Sequence, residues 1–271
     1  MSNALFVVWR ESLEALLIVG ILYAWLKQND PEGGLRALWV GVVTGVGAAL
    51  ALAWTMVAVQ DELSGQMLEW FQISIVLLAA GLITQMVLWM QKHGRHMKRN
   101  LENEIARARE HSGRGGIIAI TALAIAREGA ETVVFLYGIG QEGDFRSLLL
   151  GGGFGLLLAF ATSWLLARGL RFFNYRNFFR ITGFLLFLFA SALLVTGVER
   201  LIGMGVIPAL VEPLWDTSAL LDDFTTTGKL IGALTGYRAQ PALTLVLAYV
   251  TYWLFVVAMQ RRADRLTQNR T

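Results

Sequence analysis

The 271 residues include no cysteine, which excludes disulfides, thiolate metal ligands, cysteine nucleophiles and thiolate-bound iron–sulfur clusters together. Histidine is nearly as scarce, with three residues and none in an apolar run. That is too few for the imidazole cage that zinc or copper favours, and it leaves no base for a membrane-embedded hydrolase. Charge is thin, at 16% Asp, Glu, Lys and Arg, where a soluble domain carries far more. In their place stand 55% hydrophobic residues, nine Trp and a mean hydropathy of +0.54, which define an integral membrane protein before any motif is read. The formal net charge of +3 points to no nucleic-acid partner.

Seven stretches, about residues 4–26, 37–59, 70–91, 115–139, 147–167, 179–198 and 241–260, are long and apolar enough to cross a hydrocarbon core of about 30 Å as helices. The expected fold is therefore an all-α integral membrane protein with seven transmembrane helices, one transmembrane domain over residues 1–271. The first stretch lacks a basic leader and carries Glu11 and Glu14, so it reads as a retained span. Lys and Arg number 17 in the segments 27–36, 92–114, 168–180 and 261–271, against 4 on the other side. That asymmetry predicts an external N-terminus and a cytoplasmic C-terminus.

Only Arg10 and Arg127 are basic residues well inside spans, and each heads the same pattern. The first span holds Arg10, Glu11 and Glu14, and the fourth holds Arg127, Glu128 and Glu131. Three helices separate the copies, so the economical plan is an inverted 3+3 repeat, about residues 4–91 and 115–198, followed by a loop over 199–240 and a seventh helix over about 241–260. The second and fifth spans match as well, with Gly41 and Gly45, and Gly151 and Gly155, four apart on faces suited to close helix approach.

Each ionisable group near the middle of a bilayer costs about 2.5–3.5 kcal/mol on insertion scales. Six such groups must face one another or a cavity. Glu11 and Glu14, and Glu128 and Glu131, are three apart and share a helix face, while Arg10 and Arg127 are four residues from Glu14 and Glu131 and positioned to pair with them. Two arginines against four glutamates leave two surplus negative charges, which call for protons or a metal cation. Hard oxygen donors without thiolate suit Fe³⁺, Mn²⁺, Mg²⁺ or Ca²⁺ better than Cu⁺. The chemistry alone offers a cation permease, with a carboxylate proton relay as its nearest rival.

Two Arg-Glu-x-x-Glu motifs in the first and fourth of seven helices resemble the high-affinity iron permease family, the oxidase-dependent iron transporters of fungi and the bacterial ferrous or ferric iron permeases. The resemblance covers essentially the whole chain, including the basic loop after the third span and the stretch GKLIGALTGYRAQPALTLVLAYVTYW. The family motif reads Arg-Glu-Gly-x-Glu; Gly129 matches it, whereas Ser12 stands in the glycine position of the first copy. The resemblance implies a permease of the cytoplasmic membrane and not an enzyme, with iron as substrate and no tightly bound cofactor. Glu11, Glu14, Glu128 and Glu131 would be the metal ligands, and Arg10 and Arg127 the groups that orient and balance them. Another divalent cation such as manganese, carried by a permease or a proton-coupled carrier, is the alternative.

The loop 199–240 holds Glu199, Glu212, Asp216, Asp222 and Asp223 against three basic residues. Its apolar content suggests packing on the bundle rather than a free linker. The resemblance implies acidic positions there that receive iron, of which Asp216 is the best match, followed by Asp222 and Asp223. It also implies an extracytoplasmic partner that oxidises or delivers iron: a multicopper oxidase, a cupredoxin-like protein or a haem peroxidase. The basic loop 92–114 reads as a helix of about four turns at the lipid headgroups, and His93 and His96 there are a weak candidate for a regulatory metal.

Overall fold

The computed structural model describes residues 2–30, 32–93, 97–140, 145–167 and 175–268, all of them helix or connecting turn. His96 lies outside the described residues, so the His93–His96 pair is not addressed. The helices are α1 (Ser2–Asn29), α2 (Gly34–Glu62), α3 (Gly65–His93), α4 (Met97–Gly140), α5 (Phe145–Ala167), α6 (Tyr175–Gly203), α7 (Thr226–Thr235) and α8 (Leu243–Gln268). The all-α expectation holds.

Among the described residues five helices, rather than seven, are long and apolar enough to cross a membrane on those grounds alone: α2, α3, α5, α6 and α8. The two remaining expected spans, α1 and α4, have the length, and they are the pair that carries the ionisable motif. Large apolar side chains stand exposed along α2 (Val43, Leu50, Trp54), α5 (Leu149, Phe154, Leu157, Phe160, Trp164) and α8 (Leu254, Phe255). Such continuous apolar surface fits lipid, not water. The chain is a multi-pass membrane protein.

Two compact units emerge. The first joins residues 1–68 and 93–173, and so contains α1, α2, α4 and α5. Within it α1 packs chiefly on α5 and α4 chiefly on α2, with α1 also against α4. Glycine sets these approaches. A Cβ on Gly45 of α2 would fall 2.8 Å from the Ala122 carbonyl oxygen, 2.8 Å from Ile125 Cβ and 3.0 Å from the Ala126 nitrogen. A Cβ on Gly155 of α5 would fall 2.5 Å from the Leu5 carbonyl oxygen, 3.1 Å from Val8 Cβ and 2.9 Å from the Trp9 nitrogen. Arg10 and Arg127 are 117 positions apart, and so are Leu5 and Ala122, Val8 and Ile125, and Trp9 and Ala126. The two glycines therefore touch equivalent atoms, and the two helix pairs share one register.

One end of this unit is filled by Ile18, Leu22 and Leu26 of α1, Ala37 and Leu38 of α2, and Ile105 and Ile117 of α4. The expected helix of the basic loop is present as the first part of α4, set off by Gly113 at φ +57°. It is amphipathic rather than wholly exposed. Ile105 is completely buried against the cluster and Leu101 packs beside it, while Arg109 lies 3.6 Å from Asp30 at the α1–α2 turn. After the break the chain folds tightly back, so that a Cβ on Gly116 would fall 2.5 Å from the Ala108 carbonyl oxygen.

The second unit joins residues 69–92 and 174–271, and so contains most of α3 with α6, α7 and α8. Gly197 admits Leu77 against the α6 backbone, since a Cβ there would lie 2.5 Å from the leucine methyl. The Tyr252 hydroxyl on α8 stands 3.0 Å from Thr84 Oγ1 on α3 and donates to the Phe187 carbonyl of α6 at 3.2 Å. Within the 199–240 loop, Ala209 packs against the cluster that includes Val195, Val198 and Leu245, while Leu220 and Phe224 are exposed. Thr225 caps α7 by accepting from Gly228 N, and Gly236 closes the helix at φ +77°. Arg238 donates from Nε and Nη2 to one oxygen of Glu199, at 3.0 and 2.8 Å.

Candidate cation site

The site is built on α1 and α4, wholly within the first unit. Arg10 is 1% exposed, and its two terminal nitrogens reach different carboxylates. Nη1 donates to Glu11 Oε1 at 2.7 Å, and Nη2 stands 2.6 Å from Glu14 Oε1 as an ion pair without hydrogen-bond alignment. In the second copy, Arg127 Nε donates to Glu131 Oε1 at 2.9 Å, with the arginine side chain 51% exposed. Both i to i+4 pairings read from the sequence are thus present, but in the first copy the arginine fork spans two acids rather than gripping one.

Glu11, Glu128 and Glu131 each bring one carboxylate oxygen within 4.8 Å of the others. All three are buried, and Glu11 Oε2, Glu128 Oε2 and Glu131 Oε2 have no hydrogen-bond partner. A buried anionic oxygen without a partner is costly, and three carboxylates this close form a group that could hold a metal ion. Glu14, expected as a fourth ligand, is not in this group; its Oε1 faces Arg10.

Neighbouring contacts hold the two motif helices, and the sequence reading did not single them out. Trp9 Nε1 donates to Thr162 Oγ1 at 3.1 Å, tying α1 to α5 beside Arg10. The Tyr137 hydroxyl donates to Gln60 Oε1, tying α4 to α2. Gly129 also acquires a reason: a Cβ there would lie 2.5 Å from Ala49 Cβ on α2. Ser12, its counterpart in the first copy, is half-buried.

The loop acids are occupied in holding their own backbone. Asp216 Oδ1 accepts from Ser218 N at 2.9 Å and from Ser218 Oγ at 2.6 Å, and its Oδ2 accepts from Gln240 Nε2 at 2.9 Å. The serine bonds, with Gln240 after them, hold the Asp216 carboxyl below its ordinary value. Asp222 Oδ1 accepts from Phe224 N, and Asp223 Oδ2 accepts from Ala239 N at 2.8 Å.

The chain is similar to known proteins over most of its length. A ferrous iron permease EfeU of Yersinia pestis is 28% identical over 249 residues, covering 91% of this chain and 88% of the relative. Another EfeU, of Escherichia coli O157:H7, is 27% identical over 248 residues, covering 91% and 90%. No solved structure matches the chain. Residues 1–261 match the family described as the iron permease FTR1 family, a span that takes in both motifs and most of α8. The chain belongs to that family, and it is a permease rather than an enzyme.

Proposed function

We propose that the chain moves iron inward across the cytoplasmic membrane through the buried group of Glu11, Glu128 and Glu131. The observation that carries this reading is the convergence of three buried carboxylates, each with an oxygen lacking a protein partner. Oxygen-only coordination without thiolate suits ferrous and ferric iron and Mn²⁺ alike. The curated relatives named for ferrous iron favour iron as the cargo. Arg10 holds Glu11 in place and keeps Glu14 in reserve, while Arg127 offsets the negative charge and tempers affinity, so that the ion leaves as well as enters.

The wider plan belongs to the same proposal. All seven expected spans cross, with α1 and α4 tolerated because their charged groups face one another. The 3+3 units are inverted, the N-terminus is external and the C-terminus cytoplasmic, following the Lys and Arg asymmetry. Asp216, Asp222 and Asp223 attract the cation electrostatically rather than caging it, since each already bonds the loop backbone. An extracytoplasmic multicopper oxidase, cupredoxin-like protein or haem peroxidase supplies the iron.

Uptake of radiolabelled iron, normalised to the protein in the membrane, tests the reading. Wild type should accumulate iron, and Glu128→Gln should remove most of that uptake at near-normal abundance. Uptake of manganese in preference to iron would transfer the cargo to the alternative cation. Because the chain has no cysteine, single cysteines at Ser64, Glu142 and Thr225 should label from outside and those at Gln28 and Lys98 only from inside.

A further inference from the structure

The cation group does not follow the symmetry of the helices that hold it. Equivalent atoms of α1 and α4 meet Gly155 and Gly45, so the two helix pairs are copies in register. Under that correspondence Glu11 matches Glu128 and Glu14 matches Glu131. The three-carboxylate group contains both members of the first pair but only Glu131 of the second. Glu14 is instead turned to an Arg10 that is 1% exposed, whereas Arg127, the partner of Glu131, is 51% exposed.

A transporter made of two matched, inverted halves reaches its second state when each half adopts the conformation of the other. Exchanging the copies here leaves Glu11 and Glu128 in the group and substitutes Glu14 for Glu131. It also buries Arg127 against its own two glutamates and loosens Arg10. We propose that Glu131 and Glu14 alternate as the third ligand of the transported cation, one in each state, while Glu11 and Glu128 hold the ion throughout. Two ligands never let go, so the cation stays coordinated as access passes from one membrane face to the other. The arginines act as positioning residues: each stays paired with its own i+4 glutamate, which leaves the group in the state that buries that arginine. Gly45 and Gly155, both against main-chain atoms, are the bearings on which the halves shift.

The inference rests on the carboxylate-site reading above, and its test separates the two. Radiolabelled ferrous iron is offered under anaerobic conditions to right-side-out and inside-out membrane vesicles bearing wild type, Glu14→Gln, Glu131→Gln or the double variant. Loss of even an outer-shell partner lowers metal affinity about 10–100-fold, so removal of a ligand should cost at least that much in the state that uses it. Each single variant should therefore bind iron from one face only, the two from opposite faces. Neither should pass it across, and the double variant should bind from neither face. Glu14→Asp keeps the charge beside Arg10 but withdraws the carboxylate by one methylene; it should behave like Glu14→Gln. Loss on the same face in both single variants, loss on both faces, loss on neither, or wild-type transport by Glu14→Asp would each overturn the exchange. Wild-type protein that binds no iron from either face would instead undo the underlying site.

Discussion

The two Arg-Glu-x-x-Glu copies have the same charges at the same spacing, yet Arg10 is sealed in the bundle between Glu11 and Glu14 while Arg127 stands half-exposed beside Glu131. Identical residues on matched helices thus stand in different surroundings. In the first copy the arginine forms a charged core with its acids, and breaking such a buried pair is expensive. In the second copy the arginine is a partly open counter-charge, for which the direct ion-pair term is small.

The sharpest break in this comparison is the arginine pair itself. Arg10→Leu should lose about 3–5 kcal/mol of stability, because Glu11 and Glu14 are left buried and unpaired. Arg127→Leu should lose about 1 kcal/mol or less, folding near-normally but retaining bound iron more tightly with less flux, since the cluster becomes one charge more negative. Thermal unfolding in detergent and iron retention in liposomes read the two effects. Lysine sharpens the point: one ammonium does not span two carboxylates as the Arg10 fork does, so Arg10→Lys should be damaged well beyond Arg127→Lys.

Next in size are the glycine bearings. Gly155→Ala and Gly45→Ala each force a methyl into main-chain atoms of the facing helix, at 2.5 and 2.8 Å. Overpacking of this kind costs about 1–3 kcal/mol, and Gly155, the tighter of the two, should be the more affected by thermal unfolding. Smaller again is the α1–α5 tie. Trp9→Phe removes the hydrogen bond to Thr162 while keeping an aromatic ring, and should cost about 1 kcal/mol.

The sequence made the paired motif, the i to i+4 bonds and the small-residue faces of α2 and α5 readable, because each depends only on helical spacing. The difference between the copies was not readable, since it arises from what surrounds Arg10 and Arg127 rather than from either side chain. Glu14 was expected beside the other three acids for the same reason: sharing a face with Glu11 says nothing about which of them Arg10 turns aside. Ionisable residues also keep α1 and α4 out of the five described helices that qualify by apolarity alone, although the sequence reading counted both as spans. The glycine at 129 had a family pattern behind it, but its cause, contact with Ala49 on α2, is a matter of packing.

The smallest expected effect lies in the acidic loop, outside the spans. The bonds from Ser218 and Gln240 lower the folded value of Asp216. Their contribution is therefore fully present above the ordinary carboxylate range and is lost only as pH falls through the lowered folded value. Hydrogen exchange over residues 216–223 should stay constant as pH approaches that range from above, after correction for intrinsic rates, and rise only below it. Asp216→Asn should remove the pH dependence.

The central claim is that one cation is held by carboxylates drawn from both copies. Its most direct measurement is equilibrium binding of ferrous iron to purified protein, comparing wild type with Glu11→Gln from α1 and Glu128→Gln from α4. The account predicts that either substitution alone weakens iron affinity at least about tenfold, so that at the wild-type half-saturating concentration bound iron falls at least about fivefold, with the folded state verified by thermal unfolding. Wild-type binding in either folded variant would show that the ion is held by one copy without the other, and would contradict the shared site.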